Sequence, residues 1–195
     1  MATNFEIKNV VVHAELGCQI DMERLVRELP DVDFESQTFP GAKVVIDDQL
    51  KLLVFSSGSI ILKGLKTPDE NEIKKVIKER IAPVFEKIGS KVADDVKITI
   101  YNMVATSKIT ENTLDLNKIY QNKDKIIKEF PVEEIIYEPR RFPGLRMKFQ
   151  RNKEGVRITA LLFQTGKVVL TGARKVEQIE EMLEKLQKII KKYGQ

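Results

Sequence analysis

The stretch LLFQTGKVVLTGAR, Leu161 to Arg174, echoes an earlier phrase, LLVFSSGSIILKGLK at Leu52 to Lys66. The echo is not isolated. Each half opens with an asparagine followed by apolar residues, KNVVVHA around Asn9 and YNMVATS around Asn102. Each then passes a Phe-Pro-Gly turn at Phe39 or Phe142, and a Leu-rich strand leading to Phe55 or Phe163. A Gly-x-Lys/Arg step follows, Gly64 to Lys66 and Gly172 to Arg174, and then a long helical tail. Landmarks matched in the same order mark a duplication, so the chain folds as two copies of one unit. The expected division is residues 1–92 and 93–195.

The copies differ in spacing. Asn9 to Phe39 is 30 positions and Asn102 to Phe142 is 40; Phe39 to Phe55 is 16 and Phe142 to Phe163 is 21. The second copy therefore carries two insertions, placed in the helical region of residues 117–134 and in the QRNKEG turn.

Within each copy the pattern is strand, short helix, four strands, long helix. EIKNVVVHAEL, AKVVID, KLLVFSS and SIILKGL are rich in β-branched residues and bounded by turn signals, which predicts strands. Ser56-Ser57-Gly58 and Gln164-Thr165-Gly166 are predicted hairpin turns. In the first tail, Ile73, Val76, Ile77, Ile81, Val84, Phe85 and Ile88 recur at helical steps behind a Thr67 cap. Pro83 falls inside that pattern and predicts a local break. In the second tail, Val176, Ile179, Leu183, Leu186, Ile190 and Tyr193 form one apolar stripe. The fold class is therefore α+β, two pseudo-symmetric units joined through their sheets into one curved antiparallel sheet.

Strand side chains alternate between faces. One face of the second copy holds Leu161, Phe163, Val169 and Thr171, the other Ala160, Leu162, Val168 and Leu170. The first copy sets Leu53, Phe55, Ile61 and Lys63 against Leu52, Val54, Ile60 and Leu62. Both faces are apolar, and a unit's own long helix covers only one. A second helix layer, a homodimer through the concave face, or a ligand must cover the other. The paired phenylalanines favour a ligand, because apolar wedges beside a turn pry base steps apart from the minor groove. Asn9 and Asn102, each on an inner strand near the dyad, can donate to the purine N3 and pyrimidine O2 acceptors there.

Charge fits a polyanion partner in the second half. Residues 1–92 hold 13 Lys and Arg against 15 Asp and Glu, whereas residues 93–195 hold 20 against 14. That leaves the second half basic enough to attract nucleic acid. Other classes fall away. No apolar run is long enough to span a membrane, the N-terminus lacks an export pattern, and the lone Cys18 has no internal disulfide partner and points to a reducing compartment. No metal spacing, glycine-rich phosphate loop or catalytic constellation is present, so neither an enzyme nor a cofactor is expected. His13 is expected to be an ordinary packed or surface histidine.

These landmarks resemble the TATA-box-binding protein core in its archaeal form, over about Ile7 to Lys191. YEPRRFPGL with LLFQTGKVVLTGAR is the most specific part, and LGCQID resembles the family's first-repeat phrase. The family is a standard example of minor-groove kinking, so the following roles are what the resemblance implies. The fold would be a saddle with helices on its convex face. Phe39, Phe55, Phe142 and Phe163 would intercalate. Asn9, Val11, Leu53, Ile61, Lys63, Asn102, Val104, Leu161, Val169 and Thr171 would contact bases, and Lys66, Lys148, Lys167 and Arg174 would meet phosphates. Glu138, Arg140 and Arg141 would face transcription factor B.

The implied function is a general transcription initiation factor that binds A·T-rich promoter DNA and recruits transcription factor B and RNA polymerase. It would reside in the cytoplasm with an archaeal nucleoid, or in a nucleus. The alternative is a paralogue of weak or altered DNA specificity acting mainly through protein partners.

Departures from the family pattern concentrate in the first copy. Lys63 stands where Thr171 keeps the family threonine, Ser59 where the second copy has Lys167, and Val45 where the family has a phosphate-binding arginine. These departures predict weaker phosphate contact by the first half. In the second copy, Arg140 replaces an acidic residue of the family's partner surface, which predicts a partner with a compensating acidic patch or an altered mode of contact.

Overall fold

A computed structural model describes residues 4–194; residues 1–3, which begin the N-terminal stretch assessed for export, lie outside the described residues. The described chain forms two compact units. The first is Asn9–Tyr101, and the second is residues 4–8 together with 102–194. Residues 93–101 thus belong to the first compact unit, while residues 4–8 belong to the second.

The first unit runs through β1 (Phe5–Glu15, from Asn9 onward), α1 (Met22–Glu28), β2 (Val32–Asp33), β3 (Gly41–Val45), β4 (Lys51–Phe55) and β5 (Ser59–Leu65). A helical run follows, α2 (Glu70–Val76), a π-helical turn (Ile77–Ile81) and α3 (Ala82–Lys87). The second unit takes β6 (Lys97–Lys108) from Asn102, then α4 (Leu116–Gln121), α5 (Lys123–Glu129), β7 (Val132–Ile136), β8 (Leu145–Phe149), β9 (Thr159–Leu162), β10 (Lys167–Ala173) and α6 (Val176–Tyr193). Strand order is β2-β3-β4-β5-β1 in the first unit and β7-β8-β9-β10-β6 in the second, every one of these neighbours antiparallel. The α+β duplication expected from the sequence is present, with the same element order in both units.

Both insertions fall where the spacing placed them. The single short helix α1 corresponds to two helices, α4 and α5, divided at Asn122. The β3–β4 link covers residues 46–50, whereas the β8–β9 link covers 150–158. Asn152 organises the longer link, its Oδ1 accepting from the Glu154 and Val156 amides at 3.0 and 2.8 Å.

Each unit buries one strand face under its long helix. Val10, Val12, Ala14, Leu52, Val54, Ile60 and Leu62 are buried in the first unit, as are Ile73, Ile77, Ile81 and Phe85 of the helical run. In the second, Met103, Ala105, Ala160, Leu162, Val168 and Leu170 are buried with Ile179, Leu183, Leu186 and Ile190 of α6. Side chains at three- and four-residue steps stack on one helix face, which is why these stripes meet the sheets.

Two details of the first helical run differ from expectation or refine it. Its cap is Asp69 and not Thr67: Asp69 Oδ1 accepts from the Glu72 amide at 2.9 Å, while Thr67 Oγ1 accepts from Asp69 N at 3.1 Å. Thr67 therefore holds the cap residue, and a carboxylate takes the orphan amide at the positive helix end. The break expected at Pro83 takes the form of the π turn just before it, where Ala82 N donates to Ile77 O. Proline has no amide hydrogen for the α-helical ladder, and widening the preceding turn accommodates the loss without ending the helix.

Candidate nucleic-acid interface

The uncovered strand faces carry the candidate residues. Along β1 burial alternates, with Val10, Val12 and Ala14 buried and Asn9, Val11 and His13 half-buried. In β4 and β5, Leu53, Phe55 and Ile61 are half-buried and Lys63 is exposed. The second unit repeats this with Asn102, Val104, Leu161, Phe163, Val169 and Thr171 half-buried. The split matches the sequence pattern in both units, because side-chain direction reverses at every residue of a strand.

Cross-strand register orders these side chains into rows. In the first unit Lys43, Leu53, Ile61 and His13 stand opposite one another in turn across β3, β4, β5 and β1. In the second, Arg146, Leu161, Val169 and Thr106 form the same row across β8, β9, β10 and β6. Each row sets two apolar side chains between a cation on one edge and a polar side chain on the other. Lys43 is held by Asp33 at 2.9 Å and Arg146 by Glu134 at 3.2 Å. The Asp33 carboxylate, by hydrogen bond and charge, holds the Lys43 ammonium above its usual range.

The phenylalanines pair as expected. Phe39 meets Phe55 edge to face with centroids 6.0 Å apart, and Phe142 meets Phe163 at 5.8 Å. Phe39 is 44% exposed and Phe142 42%, although both are large apolar side chains. Edge-to-face contact orders the rings, and a glycine seats each pair. A Cβ built on Gly41 would lie 2.6 Å from Phe39 Cε1 and 3.0 Å from Phe55 Cε1. On Gly144 the same distances to Phe142 and Phe163 recur. The glycine of each Phe-Pro-Gly turn thus supplies space under the rings, a role not identified from the sequence.

A second glycine pair fixes the asparagines. Gly64 and Gly172 adopt φ of 104° and 105°, at register shifts where β5 meets β1 and β10 meets β6. Their amides donate to Asn9 Oδ1 at 2.9 Å and Asn102 Oδ1 at 2.7 Å. A Cβ at Gly64 would stand 1.8 Å from Gln49 O, and at Gly172 2.2 Å from Arg157 O. Only glycine tolerates both the backbone angle and the approach. Each asparagine oxygen is therefore occupied, and neither Nδ2 has a hydrogen-bond partner among the described residues. The open face receives the donor half of each amide.

The expected phosphate contacts are spread out. Lys66 and Arg174 are exposed just beyond β5 and β10, while Lys167 is exposed at the opposite end of β10. Lys148 is half-buried on β8, 4.0 Å from Glu133. Glu138, Arg140 and Arg141 sit together on an exposed turn, with Arg141 paired to Glu138 at 3.2 Å. That ion pair leaves Arg140 as the turn's uncompensated charge among the described residues.

His13 is more specifically placed than a generic packed or surface residue. It lies on the open face, stacked on Tyr101 with centroids 5.3 Å apart, its Nε2 2.6 Å from Ser59 Oγ. A lone histidine among valines gave no sign of this, because Tyr101 is distant in sequence. Cys18 is a half-buried free cysteine whose thiol is pushed up by burial, away from the reactive thiolate form. Among the described residues no cluster of His, Cys, Asp or Glu fits a metal, and no helix is long and apolar enough to cross a membrane.

A family model described as "Transcription factor TFIID (or TATA-binding protein, TBP)" matches residues 4–88 and 97–193. The chain is 35% identical to the TATA-box-binding protein of Methanocaldococcus jannaschii, covering 98% of this chain and 96% of that one. It is 30% identical to TATA-box-binding protein 2 of Haloferax volcanii, over 95% and 92% of the two chains. Its fold is similar to the solved structure of Methanococcus jannaschii TBP, with a TM-score of 0.71, 33% identity, and coverage of 97% and 99%.

Proposed function

The chain belongs to the TATA-binding protein family, a family of DNA-binding transcription factors and not of enzymes, and we propose that it reads A·T-rich promoter DNA from the minor groove. The observation that carries this reading is the state of Asn9 and Asn102. Each gives its oxygen to a bulge glycine and presents an amide donor beside half-buried apolar side chains. The minor groove of an A·T pair offers only acceptors, adenine N3 and thymine O2, whereas guanine adds an amino donor. A donor on a partly apolar face accepts the first pattern. It meets the second donor to donor, and Val11, Leu53, Ile61, Val104, Leu161 and Val169 would strip the guanine amino group of water without replacing its hydrogen bond.

The phenylalanine pairs act as wedges in this reading. Ring edges inserted at a base step cost a few kcal/mol of stacking, offset by the surface that the bent duplex brings into contact. Lys66, Lys148, Lys167 and Arg174 take phosphates and set the register of the duplex without reading sequence. The turn carrying Glu138, Arg140 and Arg141 is the docking surface for transcription factor B, which in turn brings RNA polymerase. The site of action is promoter DNA of the nucleoid. Thr171 adds a hydroxyl beside Asn102, 3.5 Å from its Oδ1.

The test is binding and bending of a short end-labelled TATA duplex against a G·C-substituted control. Wild-type protein is expected to bind the A·T duplex selectively and shorten its end-to-end distance. Phe142→Ala/Phe163→Ala is expected to lose the shortening. Equal affinity for both duplexes with no bending would sink the reading and leave a paralogue working through protein partners.

A further inference from the structure

A cross-strand row on the first unit's open face places Val45 opposite Lys51 and Lys51 opposite Lys63. In the second unit the same row places Lys148 opposite Thr159 and Thr159 opposite Thr171. The alignment of the two rows is fixed by register: Lys43 opposes Leu53 and Arg146 opposes Leu161 one row away in each unit. The second unit thus carries its cation on the third strand from β6, with threonines inside. The first has an apolar residue at that place and a lysine at each of the two inner ones.

Two lysines directly opposed on antiparallel strands repel, with their Cβ atoms about 5 Å apart. Neither Lys51 nor Lys63 has an ion-pair or hydrogen-bond partner among the described residues. Of the carboxylates lining the same groove, Asp33 is bound by Lys43 at 2.9 Å and Glu35 accepts from the Thr38 hydroxyl at 3.2 Å, while neither Asp31 nor Glu35 forms an ion pair with Lys51 or Lys63 among the described residues. Both lysines line a groove of about 930 Å³ together with Phe39, Val45 and Leu53. An unpaired like-charged couple beside apolar side chains is stabilised by an anion that lies across it.

We infer that Lys51 and Lys63 form a phosphate clamp for the backbone of duplex DNA, replacing the cation absent at Val45. The inference rests on the DNA-binding reading above and changes one of its terms. The first unit does not lack phosphate contacts; it has moved them inward along a row, and Lys63 grips backbone instead of reading a base. The occupant is a phosphodiester strand because the groove adjoins the Phe39 wedge, so a duplex kinked there carries its backbone past both lysines. Lys51 belongs to no repeated landmark, and only strand pairing brings it beside Lys63.

The experiment is the salt dependence of affinity for the A·T duplex, with the full-length protein and folding checked by thermal melting. Each phosphate contact contributes about 0.9 to the slope of log affinity against log salt concentration. Lys51→Gln and Lys63→Gln are each expected to lower the slope by about that amount, and the double variant by about twice as much. Adding Val45→Lys to the double variant is expected to restore about one contact. An unchanged slope in a folded double variant that still selects the A·T duplex would overturn the clamp and leave the promoter-reading role intact. A lost A·T preference at unchanged slope would also overturn it, returning Lys63 to base contact. Wild-type protein that does not distinguish the duplexes would remove the clamp and the reading together.

Discussion

Set side by side, the two units keep the same backbone devices and disagree about charge. Gly64 and Gly172 hold nearly identical positive φ values and bind Asn9 and Asn102 in the same way. Gly41 and Gly144 leave the same space beneath their phenylalanine pairs. Yet the row Val45, Lys51, Lys63 answers to Lys148, Thr159, Thr171, and Ser59 answers to Lys167. The contrast has a physical basis. A carbonyl 1.8 or 2.2 Å from a hypothetical Cβ admits no alternative residue, whereas an exposed ammonium on a flexible stem reaches the same backbone from more than one strand.

The largest effects are expected at the wedges. Phe142→Ala/Phe163→Ala and Phe39→Ala/Phe55→Ala are each expected to weaken duplex binding by about two powers of ten, on the unstacking scale of a few kcal/mol. Equal losses, read by fluorescence titration, would establish that both pairs work alike. A loss confined to one pair would show that matched geometry hides unequal use.

Stability probes the glycines next. Gly64→Ala and Gly172→Ala each force a side chain into positive φ against a carbonyl, and urea melts are expected to show a loss of about 1–3 kcal/mol or more in each case. Asn9→Ala and Asn102→Ala strand the glycine amides and are expected to cost about 1–3 kcal/mol, with A·T selectivity reduced. Wild-type stability in any of these four would mean that the bulge is not held as described.

Smaller effects separate the charges. Lys167→Ser makes the second hairpin resemble the first, and is expected to lower the salt slope by about 0.9 without altering base preference. Acidification gives the mildest signal. Hydrogen bonding and charge from Lys175 hold Glu154 below its usual value of 4.5, as Lys192 does for Glu129. A carboxyl depressed in the folded state stabilises it above the ordinary value, and that contribution disappears as pH falls through the depressed one. Melting temperature is therefore expected to drop slightly below pH 4.5, and Glu154→Gln to flatten its part of that drop.

Much of this was legible in the chain because it is local. Alternation along β4, β5, β9 and β10 fixes the two faces, and helical steps fix the buried stripes of α2–α3 and α6. Spacing between landmarks located both insertions. The sequence places the N-cap two residues too early because Thr67 and Asp69 both carry capping chemistry, and only the helix's starting point distinguishes them. The function of Gly41 and Gly144 is not legible in the chain, since a turn glycine is expected for the turn alone and the second ring of each pair, Phe55 or Phe163, comes from a distant part of the chain.

By itself the sequence determined the duplication, the element order, the apolar second face and the residues placed on it, because each depends on periodicity or on motifs repeated along one chain. Tertiary structure alone decided which atom of Asn9 and Asn102 is free, that His13 stacks on Tyr101, and that Lys51 stands opposite Lys63. Those facts depend on strand register and on bulges that shift it. A register offset of one residue reverses every side chain, so chemistry between strands is fixed only when the strands have paired.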